Sequence, residues 1–327
     1  MNKPAQVAPR DGLNTLLVIF VIVLNLWILF FAPLLLAQQP LWLLSAVLVD
    51  AILLRVTNLH WHLLHEAAHG MLLSKRFWNE RLGQLMGWTF LSGFAVLRMD
   101  HLIHHRANRI DDLPDIYFKP NKPPRLAYYA DILGGFYVVY EILLPLLSFV
   151  PRRWMLKILA YWHAQTERHI IYDQLLRLAN NPKALRQMRV ETVIMLAVIV
   201  ASVWCYQQHL WLWGLHVYLR ALFVSYLNNM PHYGNAVNDV YASDTAYLPK
   251  WLARCYLNFN YHKTHHLHPR LPWHALPQAF AASDLEYDAN YLKNYFDQLR
   301  GPIARVVVDA QLLQQCEGRD VLTSCSN

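Results

Sequence analysis

Apolar and polar positions fall in long blocks along the chain, without the short periods of a soluble domain. Leu13 to Ala37 is a nearly uncharged apolar run, long enough to span a hydrocarbon core of ~30 Å. It exceeds the apolar segment of a cleaved signal peptide, and a second apolar run follows at once, so it predicts a transmembrane helix. Gln38-Gln39-Pro40 is a turn. Leu41 to about Leu59 is the second span, interrupted by Asp50 and Arg55, which can pair or reach toward an interface. Val190 to Tyr206 predicts a third span, Gln207-Gln208-His209 a turn, and Leu210 to Leu227 a fourth. Residues 78–99 carry Glu80, Arg81 and Arg98 with Gly83, Gly87 and Gly93, which reads as interfacial or re-entrant. Residues 126–150 hold Asp131, Gly134-Gly135, Glu141 and Pro145, and are expected to enter and return or to lie in the interface.

The expected fold is an all-α integral membrane protein. Four transmembrane helices form two hairpins, joined by interfacial or re-entrant helices and a cytoplasmic histidine-rich cap. Residues 1–12 form a polar N-terminal cytoplasmic tail and 13–282 the membrane domain. Residues 283–327 form a C-terminal cytoplasmic segment with a charged helix near Asp284–Leu299.

Composition supports the membrane assignment. Charged residues make up 16% of the chain, against about 25% in a soluble domain, and the 12 Trp and 18 Tyr suit aromatic belts at the two interfaces. The formal charge of +7 sits between apolar runs and forms no basic module interleaved with aromatics, which argues against nucleic acid as a partner. Residues 151–189 are basic, with Arg152, Arg153, Lys157, Arg177, Lys183 and Arg186 among them, and the positive-inside rule places them in the cytoplasm. Cys205, Cys255, Cys316 and Cys325 show no paired spacing, so neither a disulfide framework nor a zinc ribbon is expected.

Each hairpin returns the chain to the side where it began and delivers histidines there. His65 and His69 lie four apart; His101-x-x-His104-His105 and His262-x-x-His265-His266 are two copies of one triplet whose members share a helix face. Eight imidazoles exceed the four ligands of a tetrahedral zinc. They suit two metal ions with open positions, and imidazole accepts Zn, Cu, Fe or Ni. The lack of a carboxylate nucleophile or serine triad points to redox chemistry, hence to iron with O2. Asp111, Asp112 and Asp115 are candidate hydrogen-bond partners for the outer ring nitrogens, or carboxylates facing water. Glu66 makes His65-Glu66-Ala67-Ala68-His69 a literal H-E-x-x-H, the zinc-protease pattern, but a protease leaves two clusters unexplained. Glu66 is instead expected to orient a ligand or face solvent. His60 and His62 are expected beside the site or at the interface. His268 and His274 are offset from the triplet, and His163, His169, His209 and His216 are taken as structural.

The three clusters resemble the three histidine boxes of the membrane fatty acid desaturase/hydroxylase superfamily. The third box sits in Asn260-Tyr261-His262 to Pro269-Arg270-Leu271-Pro272-Trp273-His274-Ala275-Leu276-Pro277, similar to the family's N-Y-H-x-x-H-H-x-x-P-x-x-P-x-x-x-L-P; the resemblance covers roughly residues 40–280. It implies a non-haem di-iron centre, two Fe2+/Fe3+ ions, with O2 as co-substrate. It also implies His232 as a ninth ligand and Asn228 as a water-linked one, from the family's Asn-x-x-x-His pattern. The implied activity is a fatty acid desaturase that takes hydrogen from an unactivated C–H bond of a fatty acyl chain. Alternatives in the same chemistry are a hydroxylase or ketolase of a carotenoid or other lipid, and a fatty acid decarboxylase forming a terminal alkene. A non-catalytic histidine-rich metal-binding membrane protein is the alternative of another class. The chain shows no haem, Fe–S or flavin motif. An external ferredoxin, rubredoxin or cytochrome with its reductase is therefore expected to supply electrons. The expected location is a bacterial inner membrane or ER-type membrane, with the boxes facing the cytoplasm.

Overall fold

A backbone that cannot hydrogen-bond to lipid must hydrogen-bond to itself, and the apolar blocks accordingly fold as helices. The structure, a computed structural model, describes residues 7–108, 125–166, 169–235, 239, 241–304 and 307–308 and is mostly helical. Helix α1 covers Asp11–Leu36. Helix α2 covers Pro40–Val56 and meets α3, Leu59–Ala68, at a 43° bend. Asn58 makes the bend possible by adopting a left-handed conformation, φ 50°, which Asn tolerates better than most residues. Helix α10 runs Pro182–Tyr206 and α11 runs Leu210–Asn229. By length and composition Asp11–Leu36 and Pro182–His232 can cross a membrane, and up to four segments can if each bent pair counts as one span.

The run from Pro182 to His232 doubles back on itself. Gln207 has φ 44°, and the indole of Trp213 donates to Ser202 Oγ at 2.9 Å, although eleven residues of straight helix span ~16 Å. The α1–α2 and α10–α11 turns lie together, because His209 Nε2 is 2.7 Å from the Ala37 carbonyl.

Between the hairpins lies a buried polar network. Asp50 and Arg55 pair at 3.2 Å, each 1% exposed. His216 Nδ1 lies 3.3 Å from the same Asp50 oxygen. The guanidiniums of Arg55 and Arg220 both donate to Asn25 Oδ1, at 2.9 and 2.8 Å. Arg220 also reaches the Thr89 carbonyl at 3.2 Å, and Asn25 Nδ2 meets His60 Nδ1 at 3.0 Å. One cluster thus ties together α1, α2, α3, α11 and the end of α4, which covers Arg76–Thr89.

Helix α5, Phe94–Ala107, follows α4 through a tight turn and carries the second histidine cluster. Helix α6, Arg125–Gly135, meets α7, Val138–Phe149, at a 64° bend. Gly134 sits at this break with φ 129°, and a Cβ there would lie 3.3 Å from the Ala221 Cβ of α11. Residues 126–150 are therefore bent, in keeping with the expectation that they do not cross straight. Helices α8, Arg152–Thr166, and α9, His169–Ala179, form a pair beside α10. The remaining helices are short: α12, Lys250–Cys255; α13, His262–Leu267; α14, Leu276–Ala281; and α15, Tyr291–Asp297. The all-helical expectation needs one small correction. Strands β1, Ala246–Tyr247, and β2, Ala289–Asn290, form a parallel two-stranded ladder that pins α15 to the segment before the third box.

Asp50→Ala leaves Arg55 and His216 without their carboxylate in the interior. Removing one partner of a buried pair costs about 3–5 kcal/mol, so the variant is expected to unfold at clearly lower temperature in detergent, read by thermal denaturation. An unchanged transition would show that the network carries no stability.

Candidate metal centre

Histidines at i and i+4 of a helix lie nearly one above the other, whereas i+3 is rotated by about 60° from i. Helices α5 and α13 each use that offset to serve two sites. On α5, His101 and His105 join one group while His104 joins a second. On α13 the assignment is reversed: His262 and His266 join the second group and His265 crosses to the first. Helix α3 and the residue capping it supply His65 and His69 to the first group, and His232, just past α11, completes the second. The result is a group of five (His65, His69, His101, His105, His265) and a group of four (His104, His232, His262, His266), the ligand atoms of each lying within 4.8 Å of one another. The expectation that each triplet acts from a single face is refined accordingly, since each triplet is divided between the two groups.

The ring nitrogens converge nitrogen to nitrogen. In the first group His69 and His101 Nε2 are 2.7 Å apart, His101 and His105 3.1 Å, and His105 and His265 3.0 Å. In the second, His104 and His266 Nε2 are 3.3 Å apart, His266 and His262 3.1 Å, and His262 and His232 3.0 Å. The groups adjoin, the His105 and His266 rings having centroids 4.4 Å apart. Burial, reinforced by neighbouring imidazoles, holds His101, His262 and His265 well below the usual histidine range. Burial alone brings His105 down to about 4. These four rings are therefore neutral at pH 7, the state in which imidazole binds a metal. Several nitrogen lone pairs aimed at one small volume repel one another unless a cation lies among them, so both groups fit a metal ion.

Outer contacts fix some of these rings. His232 Nδ1 lies 3.2 Å from the Ala242 carbonyl, which also accepts from the Asn108 side chain at 3.0 Å. Asn108 Nδ2 also lies 3.3 Å from His232 Nδ1; a proton on Nδ1 would be held by the carbonyl, leaving Nε2 to face the second group. Neither Asn108 nor Ala242 stands out in the sequence, the one signal being that Asn108 closes the helix that carries the second box. Glu66 is buried, but its hydrogen bond goes to the Trp273 backbone N–H at 3.1 Å, while its other oxygen is 3.9 Å from His65 Nδ1. The carboxylate thus couples the first box to the proline-rich segment after the third and does not hydrogen-bond to a box histidine.

Asn228 is half-buried on α11, one turn before His232, and its neighbour Asn229 donates to Gln298 Oε1 at 2.7 Å. Asp111, Asp112 and Asp115 lie outside the described residues. His60 and His62 belong to neither group. His60 joins the interior network, and His62 stacks on Phe259 with ring centroids 4.3 Å apart. His209 and His216 make the contacts given above, His163 stacks on Tyr172 at 4.2 Å, and His268 and His274 stand apart from both groups.

The chain is 26% identical over 230 residues to the beta-carotene ketolase of Paracoccus sp. (strain N81106 / MBIC 01143), a match covering 67% of this chain and 73% of the ketolase. No solved structure matches it. The family model for fatty acid desaturases matches residues 41–297, which begins just after the first hairpin turn and takes in all three histidine boxes, His232 and the second hairpin turn. The chain belongs to the fatty acid desaturase family.

Proposed function

We propose that the protein is a membrane-bound non-haem di-iron oxidase that uses O2 and external electrons to oxidise an unactivated C–H bond of a fatty acyl chain. The observation that carries this reading is the division of nine converging histidines, six of them buried and three partly buried, into two adjoining groups. Two metal ions side by side, each held by imidazoles, suit O2 chemistry better than a single structural zinc does. Bound there, iron would supply the activation of O2. The first group, from α3, α5 and α13, would hold one ion and the second group the other. Ala242 and Asn108 would keep the His232 ring in place, and Asn228, one turn earlier, would act through a water.

The placement of the groups supports an orientation. Both hairpin turns lie at one end of the helices, and the histidines follow the opposite ends of α2 and α11. Arg152, Arg153, Lys157, Lys183 and Arg186 are exposed at or before the start of α10, the end remote from its turn. Four crossings with this basic end in the cytoplasm satisfy the positive-inside rule and set the histidine cap there. The same cations would receive an acidic ferredoxin, rubredoxin or cytochrome.

A second reading is oxidation of a carotenoid by hydroxylation or ketone formation. The likeness to the Paracoccus ketolase favours it, and the same centre would serve, because both substrates are long apolar chains.

Purified protein is expected to bind about two iron ions per chain. His265→Ala removes a member of the group of five and His262→Ala a member of the group of four, and each is expected to lower the content to about one; His268→Ala leaves it unchanged. Elemental analysis checks this, and zinc alone, or no metal, would sink the oxidase reading. Lipid and hydrocarbon profiling of cells expressing the wild type against His265→Ala separates the reactions. A new unsaturated acid is the expected outcome, and an oxidised carotenoid selects the second reading. Identical profiles in the two strains would count against both.

A further inference from the structure

Immediately behind the four-histidine group lies a small cavity whose walls include Met230, Pro231, Asp244, Phe259, Asn260 and Tyr291. Met230 and Pro231 lead directly into His232, and Phe259 and Asn260 lead into His262, so the backbone carrying two of the four ligands forms the wall. The space, about 10 Å³, is of the order needed for a single water. A polar group waits there. Asn260 is 3% exposed; its Nδ2 donates to the Ala246 carbonyl at 2.9 Å, but its Oδ1 has no hydrogen-bond partner among the described residues. A buried acceptor without a partner is the position at which an internal water is expected.

On its far side the cavity abuts a cleft of about 1360 Å³ that opens to solvent, and the two share Met230, Asp244 and Asn294. Asp244 is the titratable member of that partition. Its Oδ2 accepts from Asn294 Nδ2 at 2.7 Å and its Oδ1 from Asn235 Nδ2 at 2.9 Å, while its backbone N–H donates to the Pro231 carbonyl at 2.7 Å. The carboxylate is thereby fixed one residue from His232, with solvent on one side and the cavity on the other.

We infer that Asp244, positioned by Asn294, is the inlet through which protons pass from the open cleft to the inner cavity and on to the four-histidine side of the centre. The inference rests on the oxidase reading, which creates the need. Hydroxylation of a C–H bond takes one O2, two external electrons and two protons, and gives an alcohol and one water. Desaturation of a –CH2–CH2– unit takes the same inputs and gives an alkene and two waters. In either case two protons must come from water to a centre enclosed by apolar helices. Burial pushes the Asp244 carboxyl up to about 6, with Asp288 adding to the effect and the amide donors and Lys263 opposing it. A carboxyl titrating there exchanges protons readily near neutrality. Asp288 accepts the Thr245 N–H at 2.8 Å and faces Lys263 Nζ at 3.4 Å, and Lys293, Asp297 and Arg300 lie farther along the cleft.

The test uses full-length protein reconstituted with iron and a ferredoxin–reductase pair. Asp244→Asn removes the carrier, Asn294→Leu blocks the partition while keeping the carboxylate, Asp244→Glu restores it, and Glu286→Gln removes an exposed acid of the same cleft. Oxidation at about pH 7 is expected to fall roughly tenfold to a hundredfold in the first two. Their solvent deuterium isotope effect should rise while iron content and lipid KM hold. Asp244→Glu should recover most of the rate, and Glu286→Gln should match the wild type. Infrared titration of the metal-free protein should show a carboxyl band with a midpoint near 6, lost in Asp244→Asn and kept in Asn294→Leu. Wild-type rates and isotope effects in both blocking variants would overturn the inlet, as would a loss of iron that tracks the loss of rate. A wild type that oxidises no lipid refutes the oxidase reading instead, while the infrared titration still reports whether Asp244 exchanges its proton near pH 6, and a band with no midpoint there overturns the inlet.

Discussion

Everything at the candidate centre depends on a mismatch of helical angles. Residues i and i+4 fall about 40° apart around a helix axis, and i+3 falls on the other side of i. Each His-x-x-His-His triplet therefore diverges, and two triplets can meet only if each pair of one helix is completed by the single histidine of the other. Helices α5 and α13 do this, one giving His101 and His105 to the first group, the other giving His262 and His266 to the second. The two groups are consequently inseparable. A shift of α13 relative to α5 would open both at once, so the positions of the two helices must be set by something more rigid than the rings themselves.

The interior polar network and the Glu66 contact supply that rigidity. Charged residues in an apolar bundle are costly unless they are paired, and Asp50, Arg55, Arg220 and Asn25 meet only when α1, α2, α11 and the end of α4 are in register. That register decides where α3 and His232 emerge from the bundle. Glu66 then joins α3 to Trp273, and Asn14 of α1 accepts the Trp273 indole N–H at 3.1 Å. The proline-rich segment behind the third box is thereby fastened to the N-terminal hairpin. The same prolines that make the family resemblance specific place Trp273 where it can make both contacts.

The hairpins and the three clusters were legible in the sequence because both are local signals, an apolar run being read by its length and a histidine box by its spacing. Asp50 and Arg55 were legible as a possible pair because they lie five residues apart. Arg220 gave no sign of joining them, since its partners Asn25 and Thr89 are remote in sequence. Asn108 and Ala242 were hidden for the same reason. The division of each triplet also escaped the sequence: helical periodicity says that three histidines share a broad face, and only the packing of α5 against α13 says which of them turns away. Glu66 was misleading in its local setting, because H-E-x-x-H suggests chemistry on its own helix while the carboxylate hydrogen-bonds to a backbone N–H 207 positions away.

The surroundings of the centre bear on how a hydrocarbon could reach it. An apolar cavity of about 50 Å³ is lined by Met99, Leu144, Leu147, Met155, Leu185 and Met188 among others, but Met99 lies two positions before His101, about 200° around α5. A chain held in that cavity would have the full thickness of α5 between it and the histidines. Phe259 occupies a different position. Its ring packs against His65 of the first group at 5.2 Å and His262 of the second at 4.5 Å, and stacks on His62 of α3. Beside it, Tyr256 Oη donates to the Val56 carbonyl at the end of α2, so Phe259 lies on the side of the centre that faces the bundle. It is an apolar surface in contact with both groups, and an alkyl chain approaching from the bundle on this side meets it before it meets a histidine. On the proposed oxidase reading, the shape of that aromatic wall, more than the ligand set, would distinguish one apolar chain from another.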